Sequence, residues 1–370
     1  MALLLFTFFV WEQRKLGDIS EIIRGASPRP ISDPKWFNSN SNIGWLRISD
    51  VTAQHGRIQH LSQHISILGQ AKTRVISTPH LLLSIAASVG YPVINYVKTG
   101  VHDGFLIFEN PKFNIDFGFY WLAFYKHEWQ KFGQPGSQVN LNSSIVKKTN
   151  IGLPDNVEQK AIVHLLKLID NRITLQQRKL ESFQFTYHEI IRRLFLKKAK
   201  WQQTKLSDLV TILDKNRKPV KKEDRLFGDT PYYGANGIQD YISGFTHKGE
   251  FILIAEDGAN SLTEYPIYFV KGQIWVNNHA HVLKVNKDVS PLFLALALKQ
   301  INYSKYTVGS SRNKLNLKDL ENIAIFIPDN NEQQKIGQFY SNYLNYLRIN
   351  KKRIQYMKQF KQFLLQNMFI

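Results

Sequence analysis

The sequence predicts a mixed α/β fold in which two small domains alternate with two long helices of coiled-coil type. Three observations support this prediction. Two short motifs each occur twice, a heptad-patterned stretch follows each copy of one motif, and short β-type runs separated by turn residues fill the blocks between them. The expected class is therefore α/β (α+β), duplicated about a pseudo-two-fold axis.

The repeated motifs divide the chain into four blocks. Pro-Asp-Asn-x-Glu-Gln begins at Pro154 and again at Pro328, and Trp-x-Gln-x-Lys-Leu-x-Asp begins at Trp11 and again at Trp201. The predicted domains are two globular blocks, residues 1–153 and 201–327, and two spacer helices, residues 154–200 and 328–370. The two globular blocks have similar sequences only at their edges. This indicates that they share a structural frame but differ in the segments between its edges.

Each spacer block carries helix-start signals and then a heptad seam. Proline ends the preceding strand, Asp or Asn can cap the first N–H groups, and Glu lies in the first turn near the positive helix end. Apolar residues then recur in steps of four and three. The predicted seam positions are Ile162, Leu166, Ile169, Ile173, Gln176, Leu180, Phe183, Tyr187, Ile190 and Leu194, and then Ile336, Tyr340, Tyr343, Leu347, Asn350, Ile354, Met357, Lys361, Leu364 and Met368.

Gln176 and Asn350 occupy the same polar position near the middle of the two seams. If the helices lie antiparallel with their centres aligned, the two amides face each other and fix the helix register. The alternative is that both amides are simply solvated.

The globular blocks mix β-type and helical patterns. Apolar runs bounded by Gly, Pro, Asn and Ser predict strands, whereas longer apolar stretches predict helices. The predicted strands include residues 45–48, 81–85, 104–108, 251–255 and 280–285, and the predicted helices are residues 119–127 and 291–301.

The charge of the chain favours a polyanionic partner. It has 48 Lys and Arg against 29 Asp and Glu, a net charge of +19, and every block is positive. Nucleic acid is the first candidate for this partner and an anionic membrane surface is the second. The alternative is a soluble basic protein without a polyanionic partner. The apolar residues 1–10 are too few to cross a bilayer and predict a short strand or an atypical domain start, so no membrane function is expected.

Cysteine is absent, which excludes disulfides and thiolate metal sites and favours a reducing cytoplasm. No phosphate-binding Gly-rich loop, no Asn/Asp-Pro-Pro-aromatic motif and no other catalytic constellation is found. His279 and His281 suggest a metal site, but no further ligand has suitable spacing, so we interpret them as neighbours on one face of a strand and expect no metal.

Polar loops with basic tips are the candidate DNA-reading elements. Arg and Lys suit guanine and phosphate, and Asn suits adenine. Each loop taken alone is more often a solvated turn, but their repetition within a duplicated basic frame favours base recognition. The predicted DNA contacts are Lys72, Arg74, Lys215, Arg217, Lys218, Asn236, Arg312 and Lys314.

With these motifs the chain resembles the specificity subunit of Type I restriction–modification enzymes over essentially its whole length. The resemblance rests on the two Trp-initiated motifs, the two Pro-Asp-Asn motifs and the stretch from Pro231 to Ile238. It implies two target-recognition domains, each reading half of an asymmetric split DNA site, and two antiparallel helices that set the gap. It does not cover the apolar residues 1–10, where a more polar leader is expected.

The resemblance also implies partners for a chain that is not itself an enzyme. Two modification subunits would bind S-adenosylmethionine and methylate adenine, and restriction subunits would cleave after ATP-driven translocation, with Mg²⁺ on the partners and no cofactor on this chain. Two alternatives remain: a stand-alone DNA-binding regulator with duplicated modules, and a nuclease with an unrecognised site.

Overall fold

The computed structural model of the protein describes residues 11–77, 79–86, 88–132, 141–196, 201–309 and 313–369. The chain forms two compact units: unit 1 contains Met1–Leu175 and Ile354–Ile370, and unit 2 contains Gln176–Arg353. Each unit holds one mixed α/β domain and part of both long helices, which confirms the predicted fold class. The unit boundaries fall inside the helices, so the four-block division stays a prediction about how the chain is organised.

The first domain alternates short strands with short helices. Its strands are β1 (Glu12–Lys15), β2 (Glu21–Arg24), β3 (Gly44–Trp45), β4 (Arg57–Ile58), β5 (Arg74–Ile76), β6 (Leu81–Ser84), β7 (Pro92–Asn95), β8 (Thr99–Val101), β9 (Phe105–Glu109) and β10 (Asn150–Leu153). Its helices are α1 (Leu16–Ile19), α2 (Ile48–Ala53), α3 (Ile67–Gln70), α4 (Ile115–Tyr125) and α5 (Ser143–Lys148), with 3-10 turns at Pro34–Trp36 and Glu128–Phe132.

A five-stranded sheet in the order β2-β9-β6-β7-β4 forms the centre of this domain, and a three-stranded sheet has the order β3-β8-β5. Both faces of β6 are covered. Leu81 and Leu83 join the core formed with α4, whereas Leu82 joins a second core with Val93 and Ile107. This burial explains why the strand is apolar at every position rather than at every second one.

The second domain follows the first long helix, α6 (Asn156–Leu196). Its strands are β11 (Gln202–Lys205), β12 (Val210–Ile212), β13 (Phe227–Gly234), β14 (Gly237–Ile242), β15 (His247–Ala255), β16 (Ile267–Val276), β17 (Ala280–Val285), β18 (Thr307–Val308), β19 (Lys314–Leu315) and β20 (Ala324–Ile327). Its helices are α7 (Pro291–Leu298) and α8 (Leu317–Glu321), with 3-10 turns at Leu206–Asp208, Asp214–Asn216, Lys222–Asp224 and Tyr303–Lys305; α9 (Asn330–Met368) is the second long helix.

The two domains share a frame but differ in their sheets. In the first domain β1 pairs antiparallel with β10, and in the second β11 pairs in the same way with β20. Each pairing closes its domain just before a long helix begins. Between these edges the second domain has one six-stranded sheet in the order β12-β17-β15-β16-β13-β14. The first domain has a five-stranded sheet and a three-stranded sheet instead. The repeat therefore preserves the closure and replaces the interior.

Most of the local predictions agree with these elements. Strands β6, β9, β15 and β17 and helices α4 and α7 all overlap the segments expected from sequence. The strand expected at residues 45–48 is wrong, because β3 ends at Trp45 and Ile48 already begins α2. The Asp50 carboxylate accepts a hydrogen bond from the Arg47 N–H (3.0 Å) and so stabilises a helix start at this point.

The repeated Pro-Asp-Asn motif starts both long helices as predicted. Asp155 Oδ1 accepts from the Glu158 N–H (2.8 Å), and Asp329 Oδ1 accepts from the Glu332 N–H (2.9 Å). Each Asp thus satisfies an N–H group that has no partner within the helix.

The glutamine of the motif connects each helix to its own domain. Gln159 donates to the Pro154 carbonyl (2.8 Å) and accepts from the Asn114 N–H (2.8 Å), and Asn114 caps α4. Gln333 repeats this arrangement, because it donates to the Pro328 carbonyl (3.1 Å) and accepts from the N–H of Ser290, the cap of α7. Both glutamines are buried. The Pro-to-Gln spacing that the two copies of the motif share therefore has a structural explanation.

The long helices pack along the predicted seam within each unit. In unit 1, Leu166 of α6 is fully buried and Lys361 of α9 pairs with Asp170 at 2.6 Å. In unit 2, the ring of Tyr187 stacks on Tyr343 with centroids 3.4 Å apart. Phe183, one turn earlier in α6, contacts Tyr346, which lies later in α9 than Tyr343. The two helices therefore run antiparallel.

The seam changes position at the end of α6. Ile190, a predicted seam residue, is 46% exposed, whereas Ile191 and Phe195 are buried. These two side chains belong to the core of the second domain together with Phe293 of α7. The last turns of α6 are thus oriented by the domain rather than by the partner helix, which sequence periodicity alone did not indicate.

None of the helices in the described ranges is long and apolar enough to cross a bilayer. The prediction for residues 1–10 lies outside the described residues.

Candidate nucleic-acid interface

The loops that carry the predicted DNA contacts of the second domain are tied together. Asn236 donates to the Gly258 carbonyl (2.9 Å) and accepts from the Asn260 N–H (3.1 Å). The Gly258 N–H in turn donates to the carbonyl of Asn313 (3.2 Å), next to β19. The predicted contacts with exposed side chains in this region are Lys215, Lys218, Asn236 and Lys314.

Arg217 differs from the other predicted contacts because its guanidinium is engaged inside the domain. It donates to Glu256 (2.7 Å) and to the Ala280 carbonyl (3.0 Å), and it lies 3.4 Å from Asp214. Only 15% of the side chain is exposed. Arg217 therefore connects three loops, and its neighbours Lys215 and Lys218 are better placed to meet DNA.

His281 completes this cluster from β17. Its Nδ1 lies 2.5 Å from Asp214 and its Nε2 lies 2.9 Å from the Leu315 carbonyl. Burial by itself raises the pKa of the Asp214 carboxyl, but the hydrogen bond and charge of His281, with Arg217, leave this pKa below its ordinary value. Asp214 is thus held as a carboxylate, and the cluster fixes the loop that presents Lys215.

Asp214, Glu256 and His281 are residue types that can bind a metal ion, but their ligand atoms already have protein partners. Asp214, Glu256 and His281 place one ligand atom each within 4.8 Å of one another. Both ring nitrogens of His281 have protein partners, and Arg217 lies within ion-pair distance of both carboxylates. The arrangement therefore functions as an internal ion-pair network.

The interpretation of His279 and His281 as partners on one strand face is wrong. β17 begins at Ala280, so His279 lies in the preceding turn and pairs with Asp257 at 2.6 Å. Only His281 belongs to the strand, and it is 2% exposed.

In the first domain Arg74 leads to a basic cleft that sequence reasoning missed. The Nε of Arg74 donates to the Arg24 carbonyl (2.7 Å), and the Nε of Arg24 donates to the Asp103 carbonyl (2.6 Å). Arg29 reaches the Asp103 carboxylate at 3.3 Å. Two arginines, Arg24 and Arg29, therefore contact Asp103, and Arg74 is connected to them through the Arg24 carbonyl. Lys72, the other predicted contact, is exposed in the turn before β5.

The cleft has a volume of about 690 Å³, and arginines and apolar groups form much of its wall. Its lining residues are Ser27, Pro28, Arg29, Pro30, Ile31, Trp45, Arg47, Ile48, His102 and Asp103. Arg29, Arg47 and His102 are scattered in sequence, so the one available signal was the turn-rich segment around Pro28 and Pro30. Pairing of β3 and β5 with β8 brings the segments together.

Some predicted residues lie outside this interface or outside the described chain. Arg312 is not among the described residues. Asn350 is 9% exposed and donates to the Tyr346 carbonyl of its own helix (2.8 Å), and Gln176 is half-buried. Their role in helix register stays a prediction.

Comparison with known proteins identifies the family. The family model described as Type I restriction modification DNA specificity domain matches residues 10–183 and 198–359. This chain belongs to the Type I restriction–modification DNA specificity family. It is a specificity subunit, the component that supplies DNA sequence specificity rather than catalysis. The stand-alone regulator is not supported.

Curated relatives are also named as specificity subunits of type I restriction enzymes. A Haemophilus influenzae protein named as a type I restriction enzyme specificity subunit is 44% identical over 131 residues, or 35% of this chain and 34% of that protein. The alignment thus spans about a third of that relative. The EcoprrI specificity subunit of Escherichia coli is 23% identical over 81% of this chain and 79% of its own length.

Solved structures share the fold. The Type I restriction–modification S subunit from M. genitalium matches with a TM-score of 0.68 and 17% identity, covering 100% of this specificity subunit and 98% of that chain. The HsdS subunit from Thermoanaerobacter tengcongensis matches with a TM-score of 0.50 and 15% identity, covering 97% and 96%. At such low identity the likeness establishes the architecture.

Proposed function

We propose that the specificity subunit binds double-stranded DNA through both domains, each reading one half of an asymmetric bipartite site. The observation that carries this proposal is the duplicated frame. Gln159 and Gln333 attach two domains to two helices in the same way, but the domains have different sheets and different basic loops. Equal attachment with unequal reading surfaces suits two different half-sites.

The charge distribution supplies the sequence-independent part of this binding. A net charge of +19 favours association with the phosphate backbone through counterion release. Exposed Lys72, Lys215 and Lys218 are available for phosphates, because their side chains lie at the surface rather than in the interior. Lys314 is half-exposed and lies 3.6 Å from Glu256, so it would exchange this ion pair for a phosphate. The Asn236 amide bonds to Gly258 and Asn260 within the domain, so its exposed turn is proposed to contact DNA only if these bonds are exchanged for bonds to a base. Arg217 holds the loop that presents Lys215 and Lys218.

The long helices are proposed to set the unread gap and to dock two modification subunits. Large apolar side chains on both helices are exposed, including Leu168 (49%) and Leu175 (61%) on α6 and Phe360 (53%) and Phe363 (57%) on α9. Apolar exposure of this extent on a helix is typical of a partner surface. Restriction subunits would join the same cytoplasmic complex, and S-adenosylmethionine, ATP and Mg²⁺ would bind to the partners.

Adenine-methylation mapping tests this function. Cells expressing the chain with a cognate modification subunit are compared with cells that lack only this chain. We expect methylated adenines in a split motif with two different halves and a fixed gap. Identical methylation patterns in the two strains would refute the proposal.

A further inference from the structure

The cleft of the first domain offers hydrogen-bond donors while its one acidic group is occupied. Asp103 Oδ1 accepts from the Ser27 hydroxyl (2.6 Å), and Asp103 Oδ2 accepts from Arg29 (3.3 Å). His102 and Arg47 are two further polar side chains of the lining. The cleft is therefore suited to a ligand that presents acceptors.

His102 has a defined protonation state in this cleft. Its Nδ1 accepts a hydrogen bond from the Gly104 N–H (2.9 Å), so in the neutral ring Nε2 carries the proton. Burial lowers the pKa of His102 below its ordinary value, although the carboxylate of Asp103 opposes this effect. Trp45 and Phe105 lie against the ring with centroids 5.7 and 4.9 Å away. His102 is thus a fixed, neutral, single donor.

Arg47 is also held in place. Its Nε and Nη2 donate to the Asp50 carboxylate at 3.2 and 3.3 Å, and Nη2 donates to the Ser62 hydroxyl at 2.6 Å. Nη1 has no hydrogen-bond partner within the described part of the chain. With 42% of the side chain exposed, this group is an oriented donor at the cleft.

We propose that the cleft reads a guanine in the half-site of the first domain, with His102 and Arg47 donating to the acceptor edge of that base. The inference rests on the proposed DNA-binding function. In the major groove guanine presents two acceptors, O6 and N7, whereas adenine pairs an acceptor with a donor and cytosine presents a donor. Thymine presents one acceptor beside a methyl group. A cleft with two oriented donors and an occupied carboxylate therefore matches guanine.

The test is motif mapping with the complete complex of specificity and modification subunits. His102→Leu removes the donor, Arg47→Met removes the second one, and His127→Leu is the control, since His127 is exposed and does not line the cleft. Competition binding to duplexes that carry each base at each half-site position gives the preference for guanine directly.

In both cleft variants we expect one guanine of one half-site to become degenerate, while the other half-site and the gap stay unchanged. The preference for guanine at that position should fall about 5- to 150-fold, the range of one good base contact. The control should keep the parental motif. Should His102→Leu fail to fold, Arg47→Met decides, because it changes a half-exposed side chain.

Two results overturn the proposal. An unchanged motif in both variants would show that the cleft reads no base, and uniform weakening on all duplexes would show a phosphate contact instead. A parental complex that yields no split motif would refute the proposed function itself, so the two failures are distinguishable.

Discussion

Replacing Gln159 by leucine examines how a recognition domain is attached to its spacer helix. The side chain is 2% exposed and makes two bonds of 2.8 Å, to the Pro154 carbonyl and from the Asn114 N–H. Leucine has a similar volume but leaves the buried Pro154 carbonyl and the part-buried Asn114 N–H without these partners. Each unsatisfied group costs roughly 1–3 kcal/mol, and leucine recovers part of this by apolar burial. We therefore expect a loss of about 2–4 kcal/mol.

The free energy of unfolding is measured by urea titration and the midpoint by calorimetry. A loss of this size should lower the melting temperature of the first domain by about 4–16 °C. Gln366→Leu is the control, because Gln366 lies exposed on α9. If Gln159→Leu loses less than about 1 kcal/mol, as an exposed substitution does, the two bonds do not hold the domain and the reasoning is refuted.

Further predictions concern the second domain and the helix seam. Gln333→Leu should destabilise the second domain by at least as much as Gln159→Leu destabilises the first, since both of its hydrogen bonds are buried; a clearly smaller loss in the same titration would contradict this. The pKa of Asp214 is below its ordinary value of 3.8, so its contribution to stability is complete above that pH and is lost as the pH falls through the lower folded value. Asp214→Asn should thus lose stability at neutral pH and show a weaker acid dependence in urea titrations repeated across pH; an unchanged acid dependence would exclude the ion pair. Replacing Gln176 and Asn350 together by leucine should raise the melting temperature if the polar pair fixes register at a cost in stability, and a decrease counts against it. Lys218→Ala should weaken binding equally on all DNA sequences and reduce the slope of log affinity against log salt by about 1; a change in the preferred sequence would instead indicate a base contact.

Local patterns predicted the elements whose formation depends on near neighbours. The caps at Asp155 and Asp329 act over three residues, and the seam depends on spacings of three and four, so both are readable from sequence. The seam prediction was wrong at Ile190, where contacts with Phe293 of α7, distant in sequence, orient the end of the helix.

The candidate sites were only partly readable. A basic side chain in a polar loop looks the same in sequence whether it faces solvent or an internal carboxylate. Lys215 and Arg217 lie two positions apart, and only the fold distinguishes the exposed lysine from the arginine bound to Glu256.

The amino-acid sequence by itself determined the duplication, the start of both spacer helices, the positive charge and the family resemblance, because repeats, caps, heptads and composition are properties of the chain. The tertiary structure alone decided that Arg29, Arg47 and His102 share a cleft and that Gln159 meets the cap of α4. These groups lie far apart along the chain, and the order and register of the strands bring them together.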